Sequence, residues 1–441
     1  MSEVARRFVR FVFPTIERRG RGRLRIRFPL LSLLLPGLLA AAVLLVPGGC
    51  STTAPVSPIP RSELNVRVRL HAAQDRVNLA WSRPPLASIA PDGQPRRLDL
   101  APDATHVLTL TPTGWRLGNL DLGRGTLILE PSAVGSLTVN GVRHRGEYRM
   151  TPVSATQFDV VNHVNIDDYL KSVVSRELLA GWHDQAYRAQ AVAARTYALY
   201  EKFAGQKLTP DRHWDLNADE RSQVYGGIDS ESAKSRAAVD STAGLVAVHG
   251  PPGKQRIFKA YFSSCCGGVS QSAADAFNEP WTEPLSDQNV GDLCSASRYF
   301  TWGPIVIPKA EAQRRIARWG EVRNRPERDI ALVSRIDIQA TNRFGRPVRF
   351  LVTDVRGRQY SLGGEELRWA LNTDAPEATR LKSSFIEIIN DSDSIRIVRG
   401  RGWGHGVGMC QWCCEARARA GLRWDEIIRA SYPASQIVKA Y

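Results

Sequence analysis

The stretch DDYLKSVVSRELLAGW, residues 167–182, decides the fold because the spacing of its apolar residues predicts an amphipathic helix. Leu170, Val173 and Val174 recur at intervals of three and four residues, which places them on one helix face. The next position on that face is Glu177, where the pattern calls for an apolar side chain. Because a carboxyl group buried without a partner costs several kcal/mol, we predict that Glu177 lies where the helix meets a cleft.

A second helix is predicted directly after the first, over residues 184–203. Its sequence, DQAYRAQAVAARTYALYEKF, is dense in alanine, and small side chains let another element approach closely. One face of this helix carries Ala186, Ala189, Gln190, Ala193 and Tyr197. The pattern therefore predicts a tightly packed helix pair with Gln190 and Arg195 as polar groups near the contact. Gln190 is either a functional residue there or an incidental member of the packed pair.

The segment before the two helices consists of short runs in which apolar and polar residues alternate, a pattern typical of strands. Turn residues such as Gly114 and Gly141 separate the runs. The strand-like runs are NVRVRLH (65–71), THVLTLTPTGWRL (105–117), GTLILEP (125–131), SLTVNG (136–141) and QFDVVNHVNI (157–166). We therefore predict an α+β fold, with a β-rich region over residues 63–145 and a mixed domain containing the paired helices over residues 146–441.

The N-terminus has the composition of a secretory or anchoring segment. A basic leader, residues 1–27, holds nine arginines, and residues 28–46 contain no charge. This order is typical of a signal or anchor, which we place at residues 28–50, with the arginines on the cytoplasmic side. Cys50 follows two glycines and resembles the lipid-modified cysteine of lipoproteins, so a cleaved signal, an anchor and a lipoprotein stay open. The Ser-, Thr- and Pro-rich residues 51–62 are predicted to link this segment to a body in the extracytoplasmic cell envelope.

The net charge of +15 stands out in a chain whose charged content of 23% is ordinary. Nine arginines against two acidic residues give the leader +7, which leaves +8 for the rest. A basic body favours an anionic partner such as a cell-wall polymer. The sequence contains no recognition helix, zinc-finger spacing or RNA-binding signature, so we predict no nucleic-acid partner.

The stretch RGRGWGHGVGMCQW, residues 399–412, alternates glycines with larger residues around His405. Glycine permits tight turns and close backbone approach, so little side-chain bulk would surround His405 and Trp403. A polymer could therefore reach both side chains. A histidine in a Gly-rich loop is equally compatible with a structural role, and the lysine of a phosphate-binding loop is missing.

In combination these segments resemble the SpoIID/LytB family of bacterial cell-wall proteins, from about Gly146 to Pro433. The motifs that carry the resemblance, besides the two helices, are RGEYRM (145–150), SQVYGG (222–227), YFSSCCGG (261–268), GHGVGMCQW (404–412) and GLRWDEIIRASYP (421–433). The resemblance implies either a lytic transglycosylase that cleaves glycan strands stripped of stem peptides or a modifier of a wall amidase. It also implies that Glu177 is the catalytic glutamate.

The chemistry expected of such an enzyme agrees with the anomaly in the first helix. Cleavage of a β-1,4 glycosidic bond needs an acid, and a partly apolar surrounding raises a carboxyl pKa so that it holds its proton. Hydrolases pair two carboxylates, whereas a lytic transglycosylase can use one, because the C6 hydroxyl of the substrate attacks. Asp215 and Asp219 are the candidates for a second carboxylate, but no motif supports them and we expect both to be solvated loop residues.

We therefore predict a membrane-tethered peptidoglycan lytic transglycosylase in which Glu177 is general acid and later base. The side chains predicted to line or order its cleft are Gln190, Arg195, Tyr225, Trp403 and His405. Two alternatives stay open, a non-catalytic module that modifies an N-acetylmuramoyl-L-alanine amidase and an envelope scaffold. The presence of Glu177 favours the enzyme.

Six cysteines follow Cys50, and an even number outside the membrane favours disulfides. They are Cys265, Cys266, Cys294, Cys410, Cys413 and Cys414. Cys410 and Cys413 also have zinc-ligand spacing. We name Cys265, Cys266, Cys294 and Cys410 as candidate ligands of a structural zinc ion, with disulfides and free thiols as alternatives and no cofactor required for the chemistry.

The family resemblance bears on the cysteines in two ways. It implies zinc near the YFSSCCGG position in some relatives, but Ser263 and Ser264 stand where the family often has histidine. A nucleophilic pair of Cys410 and His405 is a further alternative, for which the sequence shows no orienting residue.

Overall fold

The computed structural model describes residues 59–91, 93–133 and 135–441, without the side chains of residues 205 and 206. All of these residues belong to one compact unit. The predicted leader, the signal or anchor segment and most of the linker lie outside the described residues, so the predictions made for them stay predictions. Within the described ranges, no helix is both long and apolar enough to cross a membrane.

Alternating apolar residues build the N-terminal part from two sheets that share one core. Its strands are β1 (Asn65–Gln74), β2 (Arg76–Trp81), β3 (Leu86–Ala90), β4 (Arg96–Arg97), β5 (His106–Thr111), β6 (Gly114–Leu117), β7 (Leu120–Gly123), β8 (Thr126–Glu130), β9 (Leu137–Val139), β10 (Val142–Arg143), β11 (Glu147–Pro152) and β12 (Phe158–Asn165). One sheet has the order β13-β1-β12-β11-β8-β3-β4, in which β13 (Leu216–Asn217) lies parallel to β1, and the other has the order β10-β9-β2-β5-β6-β7. The five strand-like runs predicted from the sequence are thus confirmed as strands.

The chain after β12 mixes helices with short strands, which confirms the predicted α+β class. The helices are α1 (Ile166–Glu177), α2 (Asp184–Leu208), α3 (Ala233–Ser241), α4 (Ala273–Phe277), α5 (Lys309–Val322), α6 (Gly364–Asn372), α7 (Gln411–Arg419) and α8 (Trp424–Ser431). The strands are β14 (Leu245–His249), β15 (Arg256–Ile257), β16 (Phe262–Ser263), β17 (Thr301–Trp302), β18 (Ile305–Pro308), β19 (Val333–Thr341), β20 (Pro347–Asp354), β21 (Gln359–Gly363), β22 (Ile386–Asn390), β23 (Ser394–Arg401), β24 (Met409–Cys410) and β25 (Gln436–Lys439).

The first two helices pack as the predicted pair. Helix α1 begins where the side chain of Asn165 accepts a hydrogen bond from the backbone N–H of Asp167 at 3.0 Å, a typical N-cap. Leu170, Val173 and Val174 are fully buried in a core shared with the alanines of α2. Each of these side chains stabilises the fold by about 1.5–3 kcal/mol relative to leaving it exposed. This core fixes the C-terminal end of α1, and therefore Glu177, against α2.

Strand pairing brings two distant motifs together. Strand β16, which opens the YFSSCCGG motif, pairs in parallel with β24 at the end of the Gly-rich stretch, with Phe262 opposite Met409 and Ser263 opposite Cys410. A separate apolar core is formed by α5 and α6 with β18–β23, and β23 leads directly into the Gly-rich stretch. Helix α7 starts directly after β24, so its first residue is positioned by the same pairing.

Candidate active site at the end of the first helix

Glu177 is the last residue of α1 and lies half-buried at the end of its packed face. Its Oε1 atom accepts a hydrogen bond from the backbone N–H of Val224 at 3.1 Å. Its Oε2 atom accepts a hydrogen bond from the side-chain amide of Gln411 at 3.2 Å. Val224 belongs to the SQVYGG motif and Gln411 to the GHGVGMCQW motif, so three separate motifs meet at this carboxyl group.

The loop that carries Val224 is held by both helices of the pair. Gln223 is fully buried, and its Oε1 atom accepts a hydrogen bond from the Tyr169 hydroxyl of α1 at 3.0 Å. Its Nε2 atom donates to the carbonyl of Ala194 in α2 at 3.2 Å. The amide of Gln223 therefore bridges α1 and α2, and this bridge places the Val224 N–H next to Glu177.

The pKa of Glu177 is raised above its ordinary value of 4.5, chiefly because burial disfavours the ionised carboxylate. The hydrogen bonds from Val224 and Gln411 oppose this shift because they stabilise the charged form. The negative end of the α1 dipole acts in the same direction as burial. This carboxyl therefore holds its proton at higher pH than an exposed glutamate does.

Gln190 lies on the face of α2 that contacts α7 and the loop of Gln223 and Val224. One turn before it, the carbonyl of Ala186 accepts a weak hydrogen bond from the Cys414 thiol of α7 at 3.8 Å, and one turn after it Ala194 bonds to Gln223. Residues four apart share a helix face, so Gln190 lies between α7 and the loop that holds Glu177. Its side chain is fully buried, and neither amide atom has a hydrogen-bond partner among the described residues. Such unpaired buried amides are rare and are often found at functional positions.

Arg195 is fully buried at the opposite end of α1 from Glu177. Its Nε and Nη2 atoms donate to Oδ1 of Asp167 at 3.0 and 2.8 Å, and Nε also donates to the Tyr441 hydroxyl at 3.0 Å. Its guanidinium also donates to the carbonyls of Val239 and Leu245 at 3.2 and 3.3 Å. These contacts give Arg195 a role in joining the start of α1 to the C-terminus and to the end of α3.

Tyr225 is a core residue next to Val224. Its hydroxyl donates to Oδ1 of Asn162 in β12 at 3.0 Å, and its ring packs against Tyr169 with centroids 4.9 Å apart. These contacts anchor the SQVYGG loop to the first sheet. Tyr225 thereby orders the loop that contains Val224, the residue whose backbone N–H donates to Glu177.

Trp403 and His405 differ in exposure. Trp403 is 39% exposed, and its ring meets Tyr299 edge-on with centroids 4.1 Å apart. His405 is half-buried. Its Nε2 atom donates a hydrogen bond to the carbonyl of Phe262 at 3.0 Å, and its Nδ1 atom accepts one from the backbone N–H of Val407 at 3.0 Å. Burial lowers the pKa of His405 to about 4, so the ring is neutral at pH 7. Trp403 is thus available to a polymer, whereas His405 orders the loop from within.

The geometry also disfavours a cysteine nucleophile activated by His405. Both ring nitrogens of His405 are taken up by backbone groups, Phe262 and Val407. An imidazole whose two nitrogens are both occupied in this way cannot take the proton of a thiol, so the activation that such a pair needs is missing.

Glycines let the Gly-rich stretch pack closely against its neighbours. Gly402 and Gly406 have φ angles of +80° and +68°. A Cβ atom on Gly402 would lie 2.5 Å from the carbonyl oxygen of Cys265, and one on Gly406 would lie 2.3 Å from the Arg346 guanidinium. Both positions require glycine. The predicted close approach of backbone is therefore present, but it serves contacts within the protein.

The two candidates for a second carboxylate differ from each other. The prediction that Asp215 is a solvated loop residue is wrong, because its side chain is fully buried and accepts hydrogen bonds from the backbone N–H and the guanidinium of Arg67. Strand β13 pairs with β1 directly beside this contact, which explains the burial. Asp219 lies in a loop with its side chain 40% exposed, and it pairs with Arg221 two residues further on.

The cysteines form a cluster whose membership differs from the predicted set. The four thiol sulfurs that lie within 4.8 Å of one another belong to Cys266, Cys294, Cys410 and Cys413. Cys413 therefore takes the place predicted for Cys265, whose Sγ points to the carbonyl of Cys294 at 3.9 Å. The cause is helical geometry, because Cys413 lies one turn after Cys410 at the start of α7. No disulfide joins any of the six cysteines in the described residues.

Sequence reasoning missed the two direct partners of Glu177. Val224 uses only its backbone N–H, which no residue type reveals. Gln411 belongs to the GHGVGMCQW motif. A polar side chain at the first position of a helix after a Gly-rich loop is a signal that could have pointed to it.

Comparison with known proteins identifies the family. The profile of the SpoIID family, described as "Stage II sporulation protein", matches residues 154–249, which include α1, α2 and the loop that carries Val224. An uncharacterised protein of Brachyspira hyodysenteriae is 30% identical over 320 residues, which cover 68% of this chain and 74% of the relative. This chain belongs to the SpoIID family.

Two relatives from Bacillus subtilis carry functional names. The "Amidase enhancer" is 25% identical over 304 residues, 61% of this chain but only 40% of that protein. "Stage II sporulation protein D" is 22% identical over 312 residues, 66% of this chain and 79% of that protein. The similarity to both extends well beyond the segment matched by the family profile.

Proposed function

We propose that this SpoIID-family protein acts on the bacterial cell wall as a lytic transglycosylase of peptidoglycan glycan, with Glu177 as its single catalytic acid and base. The observation that carries the proposal is the half-buried carboxyl at the end of α1, held by Val224 and Gln411, with a raised pKa. Family membership and the similarity to a sporulation protein D and to an amidase enhancer support a cell-wall role.

In the first step, protonated Glu177 transfers its proton to the glycosidic oxygen as the bond from that oxygen to C1 breaks. A raised pKa helps because the acid form must be present when substrate binds. A positioned general acid typically contributes about 10²–10⁴-fold to the rate. The hydrogen bond from Gln411 then stabilises the carboxylate that the transfer leaves behind.

In the second step, the C6 hydroxyl oxygen of the same sugar attacks C1 and its proton passes to ionised Glu177. The new bond closes a 1,6-anhydro ring, the acid is regenerated, and no water is consumed. Hydrolases need a second carboxyl about 5–9.5 Å from the first. The intramolecular route needs no such partner, because Glu177 alone gives the proton in the first step and takes one up in the second.

The substrate we propose is glycan stripped of stem peptides, in keeping with the family resemblance. The exposed ring of Trp403 offers an apolar face on which a sugar can pack. Gln190 supplies a buried amide between the two segments that hold Glu177. We propose both as substrate-contacting or substrate-ordering residues, with Tyr225 and His405 positioning the loops.

A second candidate function rests on a separate observation, the similarity to an amidase enhancer. In that case the protein would bind the wall and raise the activity of an N-acetylmuramoyl-L-alanine amidase without cleaving glycan itself. The two functions are separated by incubating the protein with peptide-free glycan strands and with intact peptidoglycan, each with and without an amidase. Shortening of peptide-free strands without amidase supports the transglycosylase. Faster peptide release with amidase, and no strand shortening, contradicts it.

The enzyme is expected to lose activity as pH rises through the raised pKa of Glu177, because the ionised carboxylate cannot donate a proton. Gln411→Leu removes a hydrogen bond that stabilises the carboxylate, so the pKa rises further and the alkaline limb of the kcat/KM profile moves to higher pH. The measurement is a pH–rate profile of both proteins. An unmoved alkaline limb in Gln411→Leu would show that Glu177 is not the group being titrated.

We also propose that the body of the protein lies outside the membrane, tethered through residues 28–50 or a lipid on Cys50. Protease added to intact spheroplasts of a Gram-negative host, or to protoplasts of a Gram-positive one, should then digest epitopes in residues 59–441. Protection of those epitopes until the cells are lysed would contradict this location.

A further inference from the structure

A buried cluster of four thiols lies beside the candidate active site. Cys266 comes from the segment after β16, Cys294 from a turn of 3₁₀ helix over Gly291–Cys294, and Cys410 and Cys413 from the start of α7. All four side chains are buried, and their sulfurs lie within 4.8 Å of one another. The sulfur–sulfur distance is 3.7 Å between Cys266 and Cys294 and 3.9 Å between Cys266 and Cys413.

These distances fit four thiolates around one metal ion. Zinc–sulfur bonds of about 2.3 Å in a tetrahedron place the sulfurs roughly 3.8 Å apart. A disulfide would need sulfurs at about 2.05 Å, well below the 3.7 Å between Cys266 and Cys294, and all six described cysteines are free. Tetrahedral four-sulfur sites are typical of zinc. We infer that Cys266, Cys294, Cys410 and Cys413 bind one structural zinc ion.

The surroundings of the cluster suit bound thiolates. The backbone N–H groups of Cys266 and Cys413 both donate to Sγ of Cys410, at 3.3 and 3.4 Å. The second of these bonds closes a Cys-x-x-Cys turn, and such hydrogen bonds orient metal ligands and stabilise negative charge on sulfur. The buried guanidinium of Arg346 donates to the carbonyls of Cys266 and Val269 at 3.2 and 2.8 Å. Its positive charge offsets part of the net negative charge of four thiolates around a divalent ion.

The zinc site would also position the active site, a consequence that rests on the proposed function. Gln411 lies between the two ligands Cys410 and Cys413, and its amide donates to Glu177. A zinc ion that fixes both cysteines therefore fixes the first turn of α7, and with it the donor to the catalytic carboxyl. Gln411 is in this account a positioning residue, and the metal takes no part in the reaction.

The first test is the metal content of the purified full chain by mass spectrometry of the elements. We expect about one zinc per chain, and substitution by cobalt should give the charge-transfer bands of a four-thiolate tetrahedral site. Cys413→Ser and Cys266→Ser should each lower zinc content at least tenfold. Cys414→Ser and Cys265→Ser are matched controls, because each changes a buried neighbour outside the cluster and should leave zinc content unchanged.

The outcomes separate the metal site from the proposed activity. A wild-type chain that holds no zinc after purification and reconstitution, that holds iron in its place, or whose zinc depends on Cys265 rather than Cys413 overturns the assignment. This result can be read from the wild type and the controls even if the ligand variants fail to fold. If the zinc-loaded protein cleaves no glycan, the proposed function is contradicted, but the assignment of the zinc site is not affected. Metal-free folded protein with an unchanged pH–rate profile contradicts the positioning of Gln411.

Discussion

Glu177→Gln is expected to lower the rate of glycan cleavage by about 10²-fold or more, the scale of a lost general acid, while the protein stays folded. Glutamine keeps the shape of the side chain, and its carbonyl oxygen can still accept the Val224 N–H. The new side-chain NH2 group at position 177 would face the NH2 group of Gln411, but the Gln411 amide can rotate so that its oxygen accepts a hydrogen bond instead. What glutamine lacks is the transferable proton, so the effect falls on the chemical step. Cleavage assays on peptide-free strands measure it, with strand binding as the parallel readout.

The stability of this variant provides an internal check. A carboxyl whose pKa is raised on folding contributes stability at low pH that is lost as pH rises from its unfolded pKa through its folded pKa. Above its folded pKa the wild type therefore carries an unfavourable, partly buried charge, and at such pH values Glu177→Gln should be at least as stable. Glu201→Gln is a matched control, since it neutralises another half-buried glutamate, which lies in α2 and pairs with Lys259 at 3.0 Å. An unfolded Glu177→Gln variant, or equal rates in all three proteins, would make Glu177 a structural residue.

Arg195→Met should lower the free energy of unfolding by about 3–5 kcal/mol, the usual cost of removing one member of a buried ion pair. Its guanidinium is fully buried and bonds to Asp167, the Tyr441 hydroxyl and two backbone carbonyls. Methionine fills part of the volume but removes the cation and its donors. Asp167 keeps the hydrogen bond from the Tyr441 hydroxyl at 2.9 Å but loses its buried cationic partner. Urea denaturation, followed by both fluorescence and circular dichroism, measures the change.

Arg399→Met serves as the comparison for Arg195→Met. Arg399 pairs with Glu387 at the surface, and both side chains are about half exposed, so the expected change is below about 1 kcal/mol. Similar destabilisation in the two variants would contradict a special role for the buried pair. A stable Arg195→Met variant with impaired glycan cleavage would instead support the role in the cleft that the sequence predicted for Arg195.

The elements of this fold could be predicted because local pattern and burial agree. Leu170, Val173 and Val174 lie on the face that their spacing indicated, and the alternating runs before them are strands. The order of strands in the two sheets could not be predicted in this way. For example, β13 joins β1 across more than a hundred residues, and the ion pair of Asp215 with Arg67 forms only through that contact. The same long-range pairing turned an apparent loop aspartate into a buried one.

The candidate site was predicted in part for the same reason. Glu177 stands out because it breaks an apolar pattern, and a broken pattern is visible in one segment. Gln411 and Val224 reach Glu177 only because β16 pairs with β24 and because Gln223 bridges two helices. The cysteine cluster shows the same limit, since the proximity of Cys294 to α7 depends on tertiary packing. Sequence spacing therefore predicted a group of neighbouring cysteines, but it included Cys265 where the structure has Cys413.

The most direct test of the account is the mass of the fragment ends released from peptide-free glycan strands. Transfer to the C6 hydroxyl leaves each new end one water lighter than hydrolysis does, because no water enters the products. The account predicts 1,6-anhydro ends from the wild type and from Glu201→Gln, and their near-complete loss in Glu177→Gln. Reducing ends that carry the added water, or 1,6-anhydro ends formed by Glu177→Gln at the wild-type rate, would contradict it.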